Sequence, residues 1–208
     1  LSEEELNNRA NEKSKKRKAA RDKMLATKTV EKGLLIVHTG KGKGKSTAAF
    51  GLVTRAVGNQ MRVGVVQFVK GKWETGERHV LEKFPEQVDI RTMGEGFTWD
   101  TQDRARDIAA AKAAWKVSKK MIDDARGSSP KYDMILLDEL NIVLRYSYLP
   151  LKEVIKELKR KPKGLHLIVT GRNARPELIE IADLVTEMMQ IKHPFREQNV
   201  MAQKGIEF

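Results

Sequence analysis

Apolar positions along the chain fall into short unbroken runs separated by stretches of helical period. Leu34-Leu35-Ile36-Val37 is too brief for a helix and reads as a buried strand. Ser46 to Val57 follows, with Ala49, Phe50, Val53, Ala56 and Val57 at helical spacing and Gly58 as its stop. Val63 to Val69 predicts a second buried strand, and the alternating Val88 to Met93 a third, nearer an edge. A long helix is expected from about Thr101 to Arg126, with Ile108, Ala111, Trp115, Met121, Ile122 and Ala125 inward. Gly127-Ser128-Ser129-Pro130 ends it. Met134 to Leu137 is the most apolar strand candidate. A helix from Leu151 to Lys159, a strand from Leu165 to Val169, a short helix from Arg175 to Ile181 and a strand near Leu184 to Met189 complete the series. Strands that are apolar without alternation, and that alternate with helices, predict an α/β fold. Its mainly parallel central sheet would carry helices on both faces.

Residues 1–30 lack a sustained apolar period and read as a basic extension, helical in part, ahead of one domain spanning 31–208. The chain carries a formal charge of +12, and the stretch from Arg9 to Lys23 nets +6 of it, with only Glu12 and Asp22 opposing. A charge so concentrated reads as a solvated tail rather than a nucleic-acid surface, and nucleic acid is not an expected partner. There is no cysteine, which excludes disulfides, thiolate metal sites and a cysteine nucleophile. No run approaches the ~20 apolar residues of a membrane span, and no signal peptide is read at the start. A cytoplasmic protein is the expectation.

The first predicted strand and helix are joined by Thr39-Gly40-Lys41-Gly42-Lys43-Gly44-Lys45-Ser46-Thr47. This is the setting of a phosphate loop, in which backbone N–H groups wrap phosphate oxygens at a helix N-terminus. Lys45 is placed to neutralise phosphate charge and Ser46 to hold Mg²⁺, or Mn²⁺ in its place. The first position of the G-x-x-x-x-G-K-[ST] pattern is Thr39, with Gly40 one place later, a departure at the residue that shapes the start of the loop. Leu136-Leu137-Asp138-Glu139 brings an acidic residue to the carboxyl end of a buried strand, where it reaches the same metal. Asp138 is the first candidate and Glu139 the second. Thr170-Gly171-Arg172 ends the next strand on the same edge, and Arg172 is a candidate for phosphate or ribose contact. The four histidines show no metal-ligand spacing. Phe97 and Trp99 stand in a glycine-flanked loop, which suits either a flat apolar ligand or packing against the domain.

From about residue 33 onward the chain resembles the ATP:corrinoid adenosyltransferases of the bacterial cobalamin pathway. The motifs carrying the likeness are Gly40 to Gly51, Val65 to Gly71, Gly76-Glu77-Arg78, Gly96-Phe97-Thr98-Trp99, Leu137 to Leu140, Tyr148 to Leu151, Thr170-Gly171-Arg172 and Ala202 to Ile206. The resemblance implies a RecA-like P-loop NTPase fold and a homodimer. It further implies transfer of the 5′-deoxyadenosyl group of ATP to the Co(I) of a corrinoid, with release of triphosphate. On that reading the nucleotide lies in the loop with reversed polarity, and Phe97 and Trp99 sit beneath the corrin and displace its lower axial ligand. A reduced flavin or flavoprotein would supply the electron. The N-terminal segment is implied to fold over the corrinoid. The alternatives from the residues themselves are a P-loop ATPase or kinase, suggested by Asp138-Glu139, and a RecA-like nucleic-acid-binding ATPase, suggested by the charge.

Overall fold

The computed structural model describes residues 2–69, 75–94 and 102–207. They form two compact units, one up to Lys32 and the other from Gly33 onward.

The first unit is helix α1, Glu3–Leu25, none of whose residues is buried. Its stability is local. Ser2 and Glu5 form a reciprocal capping box: the Ser2 hydroxyl accepts from the Glu5 N–H at 3.2 Å, and the Glu5 carboxylate accepts from the Ser2 N–H at 2.9 Å. Glu3, Glu4 and Glu5 complement the positive end of the helix dipole.

The second unit is a parallel six-stranded sheet in the order β3-β2-β4-β5-β1-β6. In chain order its elements are β1 (Leu35–Thr39), α2 (Lys45–Gly58), β2 (Val63–Gln67), α3 (Gly76–Leu81), β3 (Val88–Thr92) and α4 (Arg104–Asp124). There follow β4 (Met134–Asp138), α5 (Leu140–Arg145), α6 (Leu151–Lys159), β5 (His166–Thr170), α7 (Pro176–Ile181), β6 (Leu184–Glu187) and α8 (Pro194–Glu197). All six expected strands and all four expected helices of this unit are present, with ends shifted by a few residues. The short helices α3, α5 and α8 were not expected, because one to two turns establish no readable period.

Side-chain alternation divides the core between the two faces of the sheet. Leu35, Val37, Leu137, Leu167 and Val169 pack with Trp115 and Ile122 of α4 and Val154 and Leu158 of α6. Ile36, Val65, Leu136 and Ile168 meet Ala49, Phe50 and Val53 of α2 on the other. The central strands are buried along their length, which is why they read as continuous apolar runs. Burial of a side chain such as Ile135 or Leu136 contributes about 1.5–3 kcal/mol. β3 is an edge strand as expected, and β6 forms the other edge with all four residues exposed.

β5 lies between β1 and β4. Because every strand runs the same way, Thr39, Asp138 and Thr170, the last residues of these three strands, arrive at one sheet edge.

Candidate functional site

The loop between β1 and α2 turns on two glycines in left-handed conformation, Gly40 at φ +97° and Gly44 at φ +98°. Gly44 caps α2 without a side-chain hydrogen bond, so the first N–H groups of this 14-residue helix remain for an anion. The segment after β6 braces the loop from beneath. The Gly42 N–H donates to the Met188 carbonyl at 2.7 Å, and the Met188 N–H donates to the Thr39 carbonyl at 2.9 Å. A Cβ on Gly40 or Gly42 would collide with the Met188–Met189 backbone. Close backbone approach, as well as phosphate access, therefore demands glycine here.

Thr39 stands where the sequence pattern has glycine, and it has its own task. Its hydroxyl accepts from the Ala174 N–H at 2.9 Å, tying the start of the loop to the turn after β5. Glycine has no atom for that bond.

Lys45 is buried, at 6% exposure, and its ammonium donates to the Gly42 carbonyl at 2.5 Å. Burial pushes its pKa down. Nearby Glu139 opposes that shift, while Arg172 and Lys43 add to it. These four charged groups thus share one field, positive on balance, which an anion would relieve. Lys43 forms an ion pair with Glu207. A cavity of about 570 Å³ is lined by Gly42 to Thr47, Glu139, Arg172, Ile206 and Glu207, among others. Thr39 and Gly40 lie buried below the loop, and Lys41 is exposed. Lys41 does not line the cavity.

Asp138 is fully buried. Its Oδ1 accepts from the Ser46 hydroxyl at 2.8 Å and from the Thr170 hydroxyl at 2.7 Å, while its Oδ2 accepts from Gln67 Nε2 at 3.4 Å. Ser46 and Asp138, 92 positions apart, are thus brought into contact. A hydroxyl and a carboxylate are the oxygen donors that suit Mg²⁺, which fills its remaining positions with phosphate oxygens and water. Among the described residues no group of three or more His, Cys, Asp or Glu could hold a metal by itself.

Glu139 occupies the left-handed region at φ +65°, a strained conformation for a residue with a side chain. Its N–H donates to the Thr170 hydroxyl at 2.9 Å, so Thr170 bridges Glu139 and Asp138. Gly171, at φ +123°, leaves the space: a Cβ there would lie 2.9 Å from Glu139 Oε2 and from Asn141 Cβ. Asn141 Nδ2 donates to the Gly171 carbonyl at 3.0 Å.

His38, one residue before the loop, is buried, and neither ring nitrogen has a hydrogen-bond partner among the described residues. Burial lowers its pKa. His166 Nδ1 accepts from the Leu34 N–H at 3.2 Å, a structural role. Phe97 and Trp99 lie outside the described residues. Sequence reasoning missed Gln67, Thr170, Met188 and Glu207. Gln67 and Thr170 had a readable signal, since each lies in a motif that carries the resemblance, Val65 to Gly71 and Thr170-Gly171-Arg172.

The family model for the ATP:corrinoid adenosyltransferase BtuR/CobO/CobP matches residues 31–208. A corrinoid adenosyltransferase of Sinorhizobium sp is 56% identical over 195 residues, covering 93% of this chain and 88% of that protein. One from Pseudomonas aeruginosa is 49% identical over 204 residues, covering 98% of each chain. One from Escherichia coli K12 is 46% identical over 187 residues, covering 90% of this chain and 91% of that protein.

Proposed function

The chain belongs to the family of ATP:corrinoid adenosyltransferases, and on that premise we propose how its residues divide the work. The protein transfers the 5′-deoxyadenosyl group of ATP to the cobalt of a corrinoid and releases triphosphate. The observation that carries the assignment of roles is the glycine loop with Ser46 and Asp138 in contact beneath its helix N-terminus.

Co(I) supplies the electron pair. The cobalt–carbon bond forms as the bond from C5′ to the triphosphate oxygen breaks, and that oxygen leaves with the electrons. Because the substrate metal is the nucleophile, the chain needs no serine, cysteine or general base. Its tasks are to align C5′ and to stabilise the growing charge on the leaving group. Lys45 and the N–H groups of the loop hold the triphosphate, Lys43 reaches it from the rim, and Arg172 approaches from the turn after β5. Ser46 and Asp138 would hold Mg²⁺, or Mn²⁺, which when bound shields the phosphate charge. Glu139, near Lys45, is an outer partner of that site. Phe97 and Trp99 are assigned to the corrin side. There, removal of an axial ligand makes Co(II) easier to reduce. A reduced flavin or flavoprotein as electron donor, a homodimer and a cytoplasmic setting complete the reading. Among the described residues no helix is long and apolar enough to cross a membrane.

Incubation of ATP with chemically reduced corrinoid tests the proposal. A light-sensitive cobalt–carbon bond formed with stoichiometric triphosphate is the expected result. ADP or phosphate as the only product would reverse it in favour of a P-loop ATPase or kinase using Glu139 to position water.

A further inference from the structure

Asp138 is held by a second, longer set of contacts that the transfer reaction leaves without a role. Gln67, Thr92 and Asp138 are the last residues of β2, β3 and β4, and the sheet register sets Gln67 directly beside both of the others. Thr92 Oγ1 donates to Gln67 Oε1 at 2.9 Å, and Gln67 Nε2 donates to Asp138 Oδ2 at 3.4 Å. Beyond Thr92, Arg78 Nη1 approaches the Thr92 hydroxyl at 3.5 Å, while Arg78 Nε pairs with Glu82 at 2.6 Å.

Donor and acceptor chemistry gives this chain a direction. A guanidinium can only donate, so the Thr92 oxygen accepts from Arg78 and its own proton turns to Gln67. Gln67 must then present its carbonyl to Thr92 and its NH₂ to Asp138. Gln67 is buried, at 4% exposure, which leaves its amide little solvent to turn to. The two hydroxyls of Ser46 and Thr170 meet one carboxylate oxygen, and Gln67 meets the other. A carboxylate turns easily about its terminal torsion, so a contact on the second oxygen adds to what holds its plane.

We propose that Gln67 and Thr92 are positioning residues for the divalent cation, fixing the plane of Asp138 so that its carboxylate and the Ser46 hydroxyl face the metal together. The inference rests on the reading of Ser46 and Asp138 as the metal site. It assigns a role to the Gln67 position that packing alone does not require. A buried leucine would fill similar volume without aligning anything.

The test measures Mn²⁺ binding to the protein–ATP complex by electron paramagnetic resonance, with the apparent KM for Mg²⁺ in turnover as a second readout. Thr92→Val and Gln67→Leu are expected to weaken Mn²⁺ binding by about tenfold, the effect usual for groups that orient metal ligands. The KM for Mg²⁺ should rise in step, with kcat retained at saturating metal and ATP affinity in EDTA unchanged. Thr92→Ser restores the hydroxyl and should restore binding. Thr92, on an edge strand and half-buried, carries the test should Gln67→Leu fail to fold. Unaltered Mn²⁺ binding in Thr92→Val, even with a lower melting temperature, would reduce the pair to core spacers and overturn the proposal. Asp138→Asn separates the two readings. If it weakens Mn²⁺ binding and Thr92→Val does not, the metal site stands and the relay falls. If Asp138→Asn binds Mn²⁺ normally, both fall.

Discussion

Replacement of Gly40 by alanine tests the claim that the backbone of the segment after β6 moulds the phosphate loop. Two costs add. Alanine at φ +97° sits in the left-handed region, at roughly 1–2 kcal/mol. The new methyl also meets the nitrogen, carbonyl carbon and oxygen of Met188, backbone atoms with no rotamer to escape into. Forced contacts of this kind cost about 1–3 kcal/mol. The sum is about 2–5 kcal/mol. Relief by lifting Met188 away would break the bonds from Gly42 to Met188 and from Met188 to Thr39, at about 0.5–1.5 kcal/mol each, so that route saves little. For a chain of this size the melting temperature should fall by roughly 4–20 °C. ATP affinity should fall at least ~10-fold, since about 1.4 kcal/mol of this strain carried into the bound loop suffices. Gly51→Ala is the control, because a Cβ there meets nothing within 4 Å. That position lies inside α2, and alanine should stabilise it by about 0.5–1 kcal/mol. Calorimetric unfolding and ATP titration read both effects. A Gly40→Ala protein that melts within about 2 °C of the parent and binds ATP equally well would refute the reasoning.

Three further outcomes are expected. Alanine at both Phe97 and Trp99 should impair turnover far more when Co(II) must be reduced in place than when Co(I) is supplied. Equal losses in the two assays would mean that the pair only packs its loop. His38 has its pKa lowered by burial from an ordinary value of 6.5, so the fold favours its neutral form. Its full contribution to stability is present above pH 6.5 and is lost as pH falls below that value, by at most about 1.4 kcal/mol per pH unit. The melting temperature of His38→Leu should therefore gain on the parent between pH 7 and pH 5 by an amount set by that limit, and a constant gap would count against the claim. Glu207→Gln should free Lys43 for phosphate and lower the KM for ATP. The pair is partly exposed, at 48% for Lys43 and 26% for Glu207. It is therefore worth at most about 1 kcal/mol, or roughly fivefold. An unchanged or raised KM would show that Glu207 does not compete with the triphosphate.

What the sequence alone determined is whatever depends on neighbours along the chain. The apolar runs at Leu35, Val63 and Met134 marked buried parallel strands because both faces of such strands are covered. Gly44-Lys45-Ser46 between a strand and a helix marked the anion site because backbone and helix dipole create it locally. The motifs from residue 33 onward also carried the family. Where periodicity had little to grip, it said less. Residues 1–30 read only as an extension helical in part, and α1 forms 23 residues of helix with no buried face. The helices α3, α5 and α8 are too short to show a period and were missed.

Only the tertiary structure decided which strand ends meet. β5 enters between β1 and β4, and that order brings Thr170 onto Asp138 and Glu139. The clearest cases are Gly40 and Thr39. In sequence, Gly40 looked like a glycine displaced by one place and Thr39 like a departure from the pattern. In the fold, Gly40 yields to the Met188 backbone and Thr39 binds the Ala174 N–H. Both partners are main-chain groups from more than 130 positions away. Every residue type except proline offers the same N–H and carbonyl, so no pattern of side chains could announce them.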